Sequence, residues 1–265
     1  MLQLIQSGVL FFGTLAGSIT DAKTGYIYDY ITYPIIVLGI ILSVVQFYWI
    51  NIASAAIIFA LLFLFYKLGK IGGGDVKLFT GIALLNPFNE ITFLVTLFFF
   101  AAISSLLFYS VFYPVKYFRT GIKIKEEKNG IRKAIILGAA LAAYFLVMLY
   151  SGFINGYFVL FLAVPIFFGL VFFALQNGIR KNFFEKKISI NKIEEDELVS
   201  ENNSKKVMQI LKNKKLIGKK EIKILKKNNV MQIIVLRNLP KFGPFIFVGT
   251  IIALAVPNFS LMLFI

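Results

Sequence analysis

The sequence predicts an all-α membrane protein, a polytopic bundle of about six to eight transmembrane helices with a cytoplasmic insertion before the last helix. Two observations support this fold class. The 265 residues are 58% hydrophobic and only 15% charged. Apolar runs of about 20 residues, the length that crosses a bilayer as a helix, recur along the chain. Backbone groups in hydrocarbon must pair within their own segment, so these runs are expected to be helices.

Eight apolar segments are expected as helices. Residues 1–20 contain no Lys or Arg, so they lack the basic region of a cleaved signal peptide and are interpreted as a retained first span. The fourth segment is short, and it must cross the membrane or at least reverse the chain for the topology to hold. In chain order the segments are 2–20, 31–50, 52–68, 76–85, 91–115, 134–150, 156–176 and 242–263.

The basic residues predict the orientation of these helices. All 28 Lys and Arg residues lie in four clusters, and the clusters fall on one side of the membrane if the N-terminus is outside. Basic loops remain in the cytoplasm, so we expect a multi-pass protein of the cell membrane with this side facing inward. The clusters are Lys23; Lys67, Lys70 and Lys77; seven residues from Lys116 to Lys133; and seventeen from Arg180 to Lys241.

The hydropathy pattern divides the chain into three parts. Residues 1–176 are expected to form a transmembrane core, residues 177–241 a basic cytoplasmic insertion, and residues 242–265 a C-terminal transmembrane helix. The insertion contains 17 basic and 7 acidic residues. It is interpreted either as a solvated insertion that fixes topology, which we favour, or as a module that docks substrate or anionic lipid. Alternating apolar residues at 230–236 indicate a strand, and thus a small folded element.

Composition excludes several classes of function. The chain has no Cys and no His, which rules out disulfides, Cys-type zinc sites, thiol nucleophiles and Ser-His catalysis. No metal and no cofactor are expected. The net charge of +15 lies in the loops and the insertion that separate the apolar segments, so membrane lipids are expected as partners and nucleic acid is not.

Three carboxylates precede Glu90, namely Asp21, Asp29 and Asp75. Ionisable groups beside a membrane span are costly, which makes each a functional candidate. The topology places all three on the cytoplasmic side, where Asp21 and Asp75 can meet. Two facing carboxylates that share a proton are sufficient for peptide hydrolysis. Gly13, Gly17 and Asp21 share one helix face, and small residues at this spacing let another helix approach closely.

Each of these residues also has a structural interpretation. Asp21 can be a helix-end carboxylate paired with Lys23, and Asp75 can be a helix N-cap. For Asp29 the N-cap interpretation is the better one, because it lies two residues before the second span. Lys23 and Lys77 are interpreted mainly as residues that extend their charge to the membrane interface.

The three glycines before Asp75 have an expected role of their own. Without side chains, Gly72, Gly73 and Gly74 admit positive φ and let a peptide strand approach the backbone. They also permit a hinge that brings Asp75 to Asp21. The alternative is a plain turn that leads into a helix.

Two motifs give a resemblance to a known family. SITDAKTGYIYDY at 18–30 and GGGD at 72–75 resemble the type IV prepilin and archaeal preflagellin peptidases, which are membrane aspartyl proteases of the GxGD class. Lys77 and the stretch LPKFGPFIFVG at 239–249 are also similar to that family. The resemblance covers most of residues 1–90 and the C-terminal span. It implies that Asp21 and Asp75 are the catalytic pair.

The resemblance also implies a substrate. It makes residues 1–176 a transmembrane peptidase core, an aspartic endopeptidase that removes the short basic leader from pilin-like or archaellin precursors with class III leader peptides, at the cytoplasmic membrane face. Family members that also methylate their product carry paired CxxC motifs, so no methyltransferase activity is expected here. Two alternatives stay open: an ion-coupled transporter, and a non-catalytic assembly protein that uses Asp21 and Asp75 structurally.

Helix polarity gives a further expectation about the pair. Asp21 lies at a helix C-terminus, where negative partial charge disfavours ionisation, and Asp75 lies at a helix N-terminus, where positive partial charge favours it. Polarity therefore predicts Asp75 as the ionised base and Asp21 as its protonated partner.

Overall fold

The computed structural model describes residues 1–259 apart from 122–123, 195–196, 212–213 and 215, and gives only the backbone of residues 124–126. The described chain is mostly helical, which confirms the predicted class. The final residues of the expected last span, 260–263, lie outside the described residues. The membrane helices are α1 (Leu2–Thr24), α2 (Asp29–Val45), α3 (Trp49–Lys67), α4 (Gly73–Leu84), α5 (Ile91–Thr120), α6 (Ile124–Tyr150), α7 (Gly156–Ala174) and, after the insertion, α11 (Gly243–Ala255).

Five of these helices are long and apolar enough to cross a bilayer: α1, α3, α5, α7 and the Glu127–Tyr150 portion of α6. Helices α2 and α11 are apolar but shorter. Helix α4 has 12 residues, which at 1.5 Å per residue gives about 18 Å, well below the ~30 Å hydrocarbon thickness. Large apolar side chains on α6 and α7, such as Leu146 and Phe167, are exposed, as expected for surfaces that contact lipid.

Helix α4 lies at the centre of the bundle, packed against α2 and α3. Seven of its 12 residues are buried and none of these seven is polar, as expected of a helix that packs in a core. Leu78, Phe79 and Ile82 are almost completely buried. They share one hydrophobic cluster with residues of α1, α5 and α11, including Leu10, Phe93, Leu97 and Ile246.

Polar groups fix the far end of α4. The Ser43 hydroxyl donates to the Leu84 carbonyl at 2.6 Å, and the Asn51 amide donates to the Asn86 carbonyl at 2.7 Å. Helix α4 begins beside Asp21 and ends beside the α2–α3 connection. It thus carries the chain from one end of the bundle, which we call the Asp21 end, to the other, despite its short length.

Replacing Asn51 is expected to destabilise this connection. Asn51 is completely buried, and the Asn51→Ala change leaves the Asn86 carbonyl without its donor. Such a loss costs about 1–3 kcal/mol, so the protein should unfold at a lower denaturant concentration in detergent. Gln46→Ala is the control, because the Gln46 amide bonds only to Leu42 of its own helix. Equal unfolding midpoints for the two variants would contradict the prediction.

Helix α11 fills the groove between α1 and α5. It packs closely on α5 because Gly249 has no side chain: a Cβ there would lie 2.5 Å from the Leu97 carbonyl oxygen. The two helices run in opposite directions, since Tyr109 near the end of α5 meets Lys241 just before α11. Thr96, at the other end, donates to the Pro257 carbonyl at 2.8 Å. The start of α11 therefore lies at the Asp21 end.

The insertion is a small α/β unit and thus not purely helical. Its helices are α8 (Gln176–Ile179), α9 (Lys205–Ile210) and α10 (Lys219–Lys227), with a π-helical turn at Arg180–Phe184 and a 3-10 turn at Ile190–Lys192. Its strands β1 (Glu185–Ser189), β2 (Glu197–Val199), β3 (Leu216–Ile217) and β4 (Gln232–Leu236) form an antiparallel sheet in the order β1-β4-β2-β3.

Strand β4 confirms the strand predicted at 230–236. It pairs with β1, with Lys187 opposite Ile234, and with β2, with Leu198 opposite Leu236. Alternate residues of β4 point into a separate core, which contains the buried side chains Ile190, Val199, Val207, Leu211, Ile217, Leu225, Ile233 and Val235. The alternation therefore reflects a sheet with one buried face.

The insertion joins the bundle at the Asp21 end. The Arg237 amide donates to the Phe184 carbonyl at 2.9 Å, and Phe184 packs in a buried cluster with Tyr113 and Tyr117 of α5 and with Leu175 and Ile179. The described basic residues before and after the insertion are consequently at the same end of the bundle as Lys23 and Lys77.

Candidate functional site

Asp21 lies in the last turn of α1, because the helix continues to Thr24, about one turn beyond the expected end at residue 20. The helix ends at Gly25, which adopts a left-handed conformation (φ 79°) and donates its amide to the Asp21 carbonyl at 2.8 Å. This termination is typical of glycine. The Asp21 side chain points into the bundle, and the residue is only 6% exposed.

The Asp21 carboxylate is bound by the start of α11. The Gly243 amide donates to its Oδ2 at 2.7 Å, and the Phe242 amide is a second backbone donor. A Cβ on Gly243 would lie 2.8 Å from the Asp21 Cβ, so glycine is needed for this approach. Asp21 is thus not the interfacial carboxylate paired with Lys23 that the structural interpretation suggested, and Lys23 is exposed.

Asp75 is the third residue of α4. The N-cap of α4 is Gly72, and the Asp75 carboxylate accepts the Gly72 amide from within the first turn. An acidic residue at the third helical position often reaches back in this way. The simple N-cap interpretation of Asp75 is therefore wrong by three positions, because the helix starts earlier than the predicted 76–85 segment.

Asp21 and Asp75 come together through the packing of α1 on α4. A Cβ on Gly17 would contact Leu78 at 3.4 Å, so the two helices touch closely at this level. Asp21 is one turn beyond Gly17, and Asp75 is about one turn before Leu78, which puts both carboxylates at the Asp21 end. The two charges interact electrostatically. Both residues thus lie at one end of the bundle, near enough for the charge of Asp21 to act on Asp75.

The glycines before Asp75 serve close packing. Gly72 has φ −74°, and none of the three glycines has positive φ, so the expected left-handed backbone is wrong. A Cβ on Gly74 would lie 2.8 Å from the Ile27 carbonyl oxygen, and one on Gly72 would lie 3.0 Å from Asp75 Oδ2. On Gly73 it would meet only the Tyr66 ring, at 3.4 Å. Of the three glycine positions, the variable position of the GxGD pattern, Gly73, is therefore the one where a side chain fits.

This part of the chain is similar to known proteins. Residues 8–111, which contain α1 to α4 and most of α5, match the type IV leader peptidase family. We call residues 8–111 the leader peptidase segment after this match. The prepilin peptidase EppA of Methanothermobacter thermautotrophicus is 33% identical over 97 residues, which are 34% of this chain and 25% of that protein. The match thus spans about a quarter of the length of the curated relative. No solved structure matches.

The leader peptidase segment also contains an ion pair that the sequence did not predict. Asp29 is the first residue of α2 and Tyr28 is the N-cap, so the N-cap interpretation of Asp29 is wrong. The Lys77 ammonium lies 2.5 Å from Asp29 Oδ1 and 4.7 Å from the centre of the Tyr33 ring. Lys77, two residues after Asp75, therefore links α4 to α2, and Asp29 is paired with Lys77.

Part of the site lies outside the leader peptidase segment. Lys241, Phe242 and Gly243 belong to the stretch noted above for its likeness to the family, but the binding of the Asp21 carboxylate by the Phe242 and Gly243 amides was not predicted. Tyr109, which bonds to Lys241, is one aromatic residue among many in an apolar helix, and no sequence signal marks it. Within the part of the chain that is described, no group of three or more acidic side chains could hold a metal ion.

Proposed function

We propose that this protein is a membrane aspartic endopeptidase that removes the leader peptide from prepilin-like or preflagellin precursors. One observation carries the proposal: Asp21 from α1 and Asp75 from α4, both in the leader peptidase segment, share one end of the bundle and interact. The residue pattern argues against the ion-coupled transporter, since both carboxylates lie at helix ends and not at mid-bundle depth.

The proposed reaction needs only the two carboxyl groups and water. One carboxylate takes a proton from water as the oxygen attacks the scissile carbonyl carbon, and the other carboxyl group gives its proton to the carbonyl oxygen. The resulting gem-diol collapses as the C–N bond breaks. The amine nitrogen receives the proton held by the first group, and the second group recovers its proton from a gem-diol hydroxyl. One water is consumed and both carboxyl groups return to their starting states.

The position of the site supports cleavage at the cytoplasmic membrane face. The described members of all four basic clusters lie at the Asp21 end, and basic loops are retained in the cytoplasm. A class III leader is a short basic segment before a hydrophobic helix, so its cleavage site lies at the same membrane depth as Asp21 and Asp75. The absence of cysteine from the sequence supports hydrolysis without methyl transfer.

The direct test is cleavage of a precursor by the purified protein in detergent or liposomes. An archaeal prepilin and a preflagellin are incubated separately with the protein, and each product is analysed by mass spectrometry. The expected product starts at the junction between the basic leader and the hydrophobic helix. The Asp21→Asn/Asp75→Asn double variant is the blank. Lack of cleavage of both precursors, or equal cleavage by the blank, would refute the proposal.

Asp29→Asn should have a small effect in the same assay. The Asp29 and Lys77 side chains are 54% and 31% exposed, and exposed ion pairs contribute about 0–1 kcal/mol. We therefore expect the rate of leader cleavage to fall by no more than about fivefold. Loss of activity as complete as that of an Asp21 or Asp75 variant would show that Asp29 belongs to the reacting groups.

A further inference from the structure

The hydroxyl of Tyr109 holds the backbone of Lys241 by two hydrogen bonds. It accepts the Lys241 amide at 2.8 Å and donates to the Lys241 carbonyl at 2.7 Å. The Tyr109 ring is itself fixed between neighbours, stacked on Tyr113 and edge-on to Phe245. A side chain of α5 thus fixes the residue that comes two positions before α11.

This fixed residue aligns the first amides of α11 with Asp21. The amides of Phe242 and Gly243 are the next two along the chain, and both donate to the Asp21 carboxylate. The Lys241 ammonium donates to the Ala22 carbonyl at 2.6 Å, which ties the same segment to the end of α1. The N-terminus of a 13-residue helix therefore points at Asp21, and such a terminus favours negative charge.

We propose that Tyr109 is a positioning residue that keeps Asp21 ionised as the general base, by holding the start of α11 against its carboxylate. The inference rests on the proposed peptidase function. It reverses the assignment that helix polarity gives, because polarity counted only the helix to which each aspartate belongs. Asp21 ends α1, but it also faces the N-terminus of α11.

The charged groups around Asp21 are consistent with these roles. Asp75 faces it from α4, Lys241 from the segment before α11, and the Tyr109 hydroxyl lies next to Lys241 on α5. On α2 the nearby carboxylate is Asp29, which is paired with Lys77. Lys241 and two amides stabilise negative charge on Asp21, whereas Asp75 receives the Gly72 amide and faces another carboxylate.

With Asp21 ionised and Asp75 protonated, each aspartate has a defined role in the reaction. Asp21 takes the proton of the attacking water, and Asp75 gives its proton to the carbonyl oxygen. When the C–N bond breaks, Asp21 passes its proton to the amine and Asp75 takes one back from the gem-diol. Both residues then have the protonation states with which they started.

The Tyr109→Phe variant tests the inference, because it keeps the ring and removes the two hydrogen bonds. We expect kcat for leader cleavage to fall about 10–100-fold with KM within twofold of the wild type. The acid limb of the kcat–pH profile should move to higher pH, since Asp21 loses well-placed donors. Tyr113→Phe is the matched control: it removes a hydroxyl one helical turn along α5, in the cluster with Phe184, and should leave both kcat and the profile unchanged.

Two results would overturn the inference while leaving the proposed function intact. One is a Tyr109→Phe enzyme with wild-type kcat and pH profile. The other is a lowered kcat that Tyr113→Phe reproduces, which would show a general effect of α5 packing.

Infrared spectroscopy provides a readout that does not need catalysis. The Asp21 carboxyl band, identified from the difference spectrum against Asp21→Asn, is expected as carboxylate at neutral pH in the wild type and partly as protonated acid in Tyr109→Phe. An unchanged band in Tyr109→Phe would refute the role of Tyr109 even if no precursor were cleaved. A protonated Asp21 in the wild type would refute its role as base.

Discussion

Asp75→Asn should reduce leader cleavage by at least about a thousandfold. An amide cannot exchange a proton with the carbonyl oxygen of the substrate, so the reaction loses its acid while keeping nearly the same shape at this position. Removing one member of a group that acts as a unit commonly costs about 10³–10⁶ in kcat. The measurement is the initial rate of product formation from a purified prepilin, with the amount of folded enzyme fixed by size-exclusion chromatography.

The other aspartates provide the controls for this result. Asp21→Asn should be as inactive as Asp75→Asn, and the double variant should be no worse than either, because the two residues work together. Asp29→Asn should stay within about fivefold of the wild type. A protein that retains a tenth of its activity without the Asp75 carboxyl group is not using an aspartyl pair.

Gly74→Val should abolish cleavage for a steric reason. A Cβ at this position would lie 2.8 Å from the Ile27 carbonyl oxygen and 2.9 Å from the Ile27 Cβ, and backbone atoms cannot move aside as a flexible side chain can. The start of α4 must shift away from the α1–α2 connection, and Asp75 is the next residue. A displacement of about 1 Å from the reacting geometry can cost about 100-fold, and overpacking of this kind costs about 1–3 kcal/mol of stability.

Gly73→Ala is the matched control, since it lies in the same helical turn and its Cβ would meet only the Tyr66 ring at 3.4 Å. We expect its cleavage rate to remain within about threefold of the wild type, because removal of a glycine from a helix is otherwise favourable by about 0.5–1 kcal/mol. Both variants are compared for cleavage rate and for unfolding midpoint in detergent. Equal losses in Gly73→Ala and Gly74→Val would point to chain flexibility as the role of the glycines and would contradict close packing.

The residues that the sequence located correctly depend on local patterns. The apolar segments predicted the membrane helices, and the basic clusters predicted which helix ends face the same side of the membrane. Asp21 and Asp75 were therefore expected at the same side. The small-residue face of α1 was also predictable from its helical spacing, and a Cβ on Gly13 or Gly17 would indeed meet Ile35 or Leu78 of a neighbouring helix. These features need only composition and periodicity.

The residues that were missed depend on contacts between distant parts of the chain. Gly243 and Asp21 are 222 positions apart, and Lys77 and Asp29 are 48 apart. Without the Lys77 contact, an acid before a helix is most simply an N-cap, which is why Asp29 was misassigned. Gly74 was expected to admit positive φ, whereas glycine is needed there because the Ile27 backbone approaches closely, which no local pattern reveals.

The order of the parts along the chain has a consequence for synthesis. Both aspartates are translated before the insertion, but the amides that bind Asp21 come from residues 242 and 243, after the whole insertion. A ribosome-bound chain can insert α1 to α7 and still lack the helix that completes the site. On the proposed mechanism such a nascent protease is inert, and its activity begins only when α11 has entered the membrane and docked between α1 and α5.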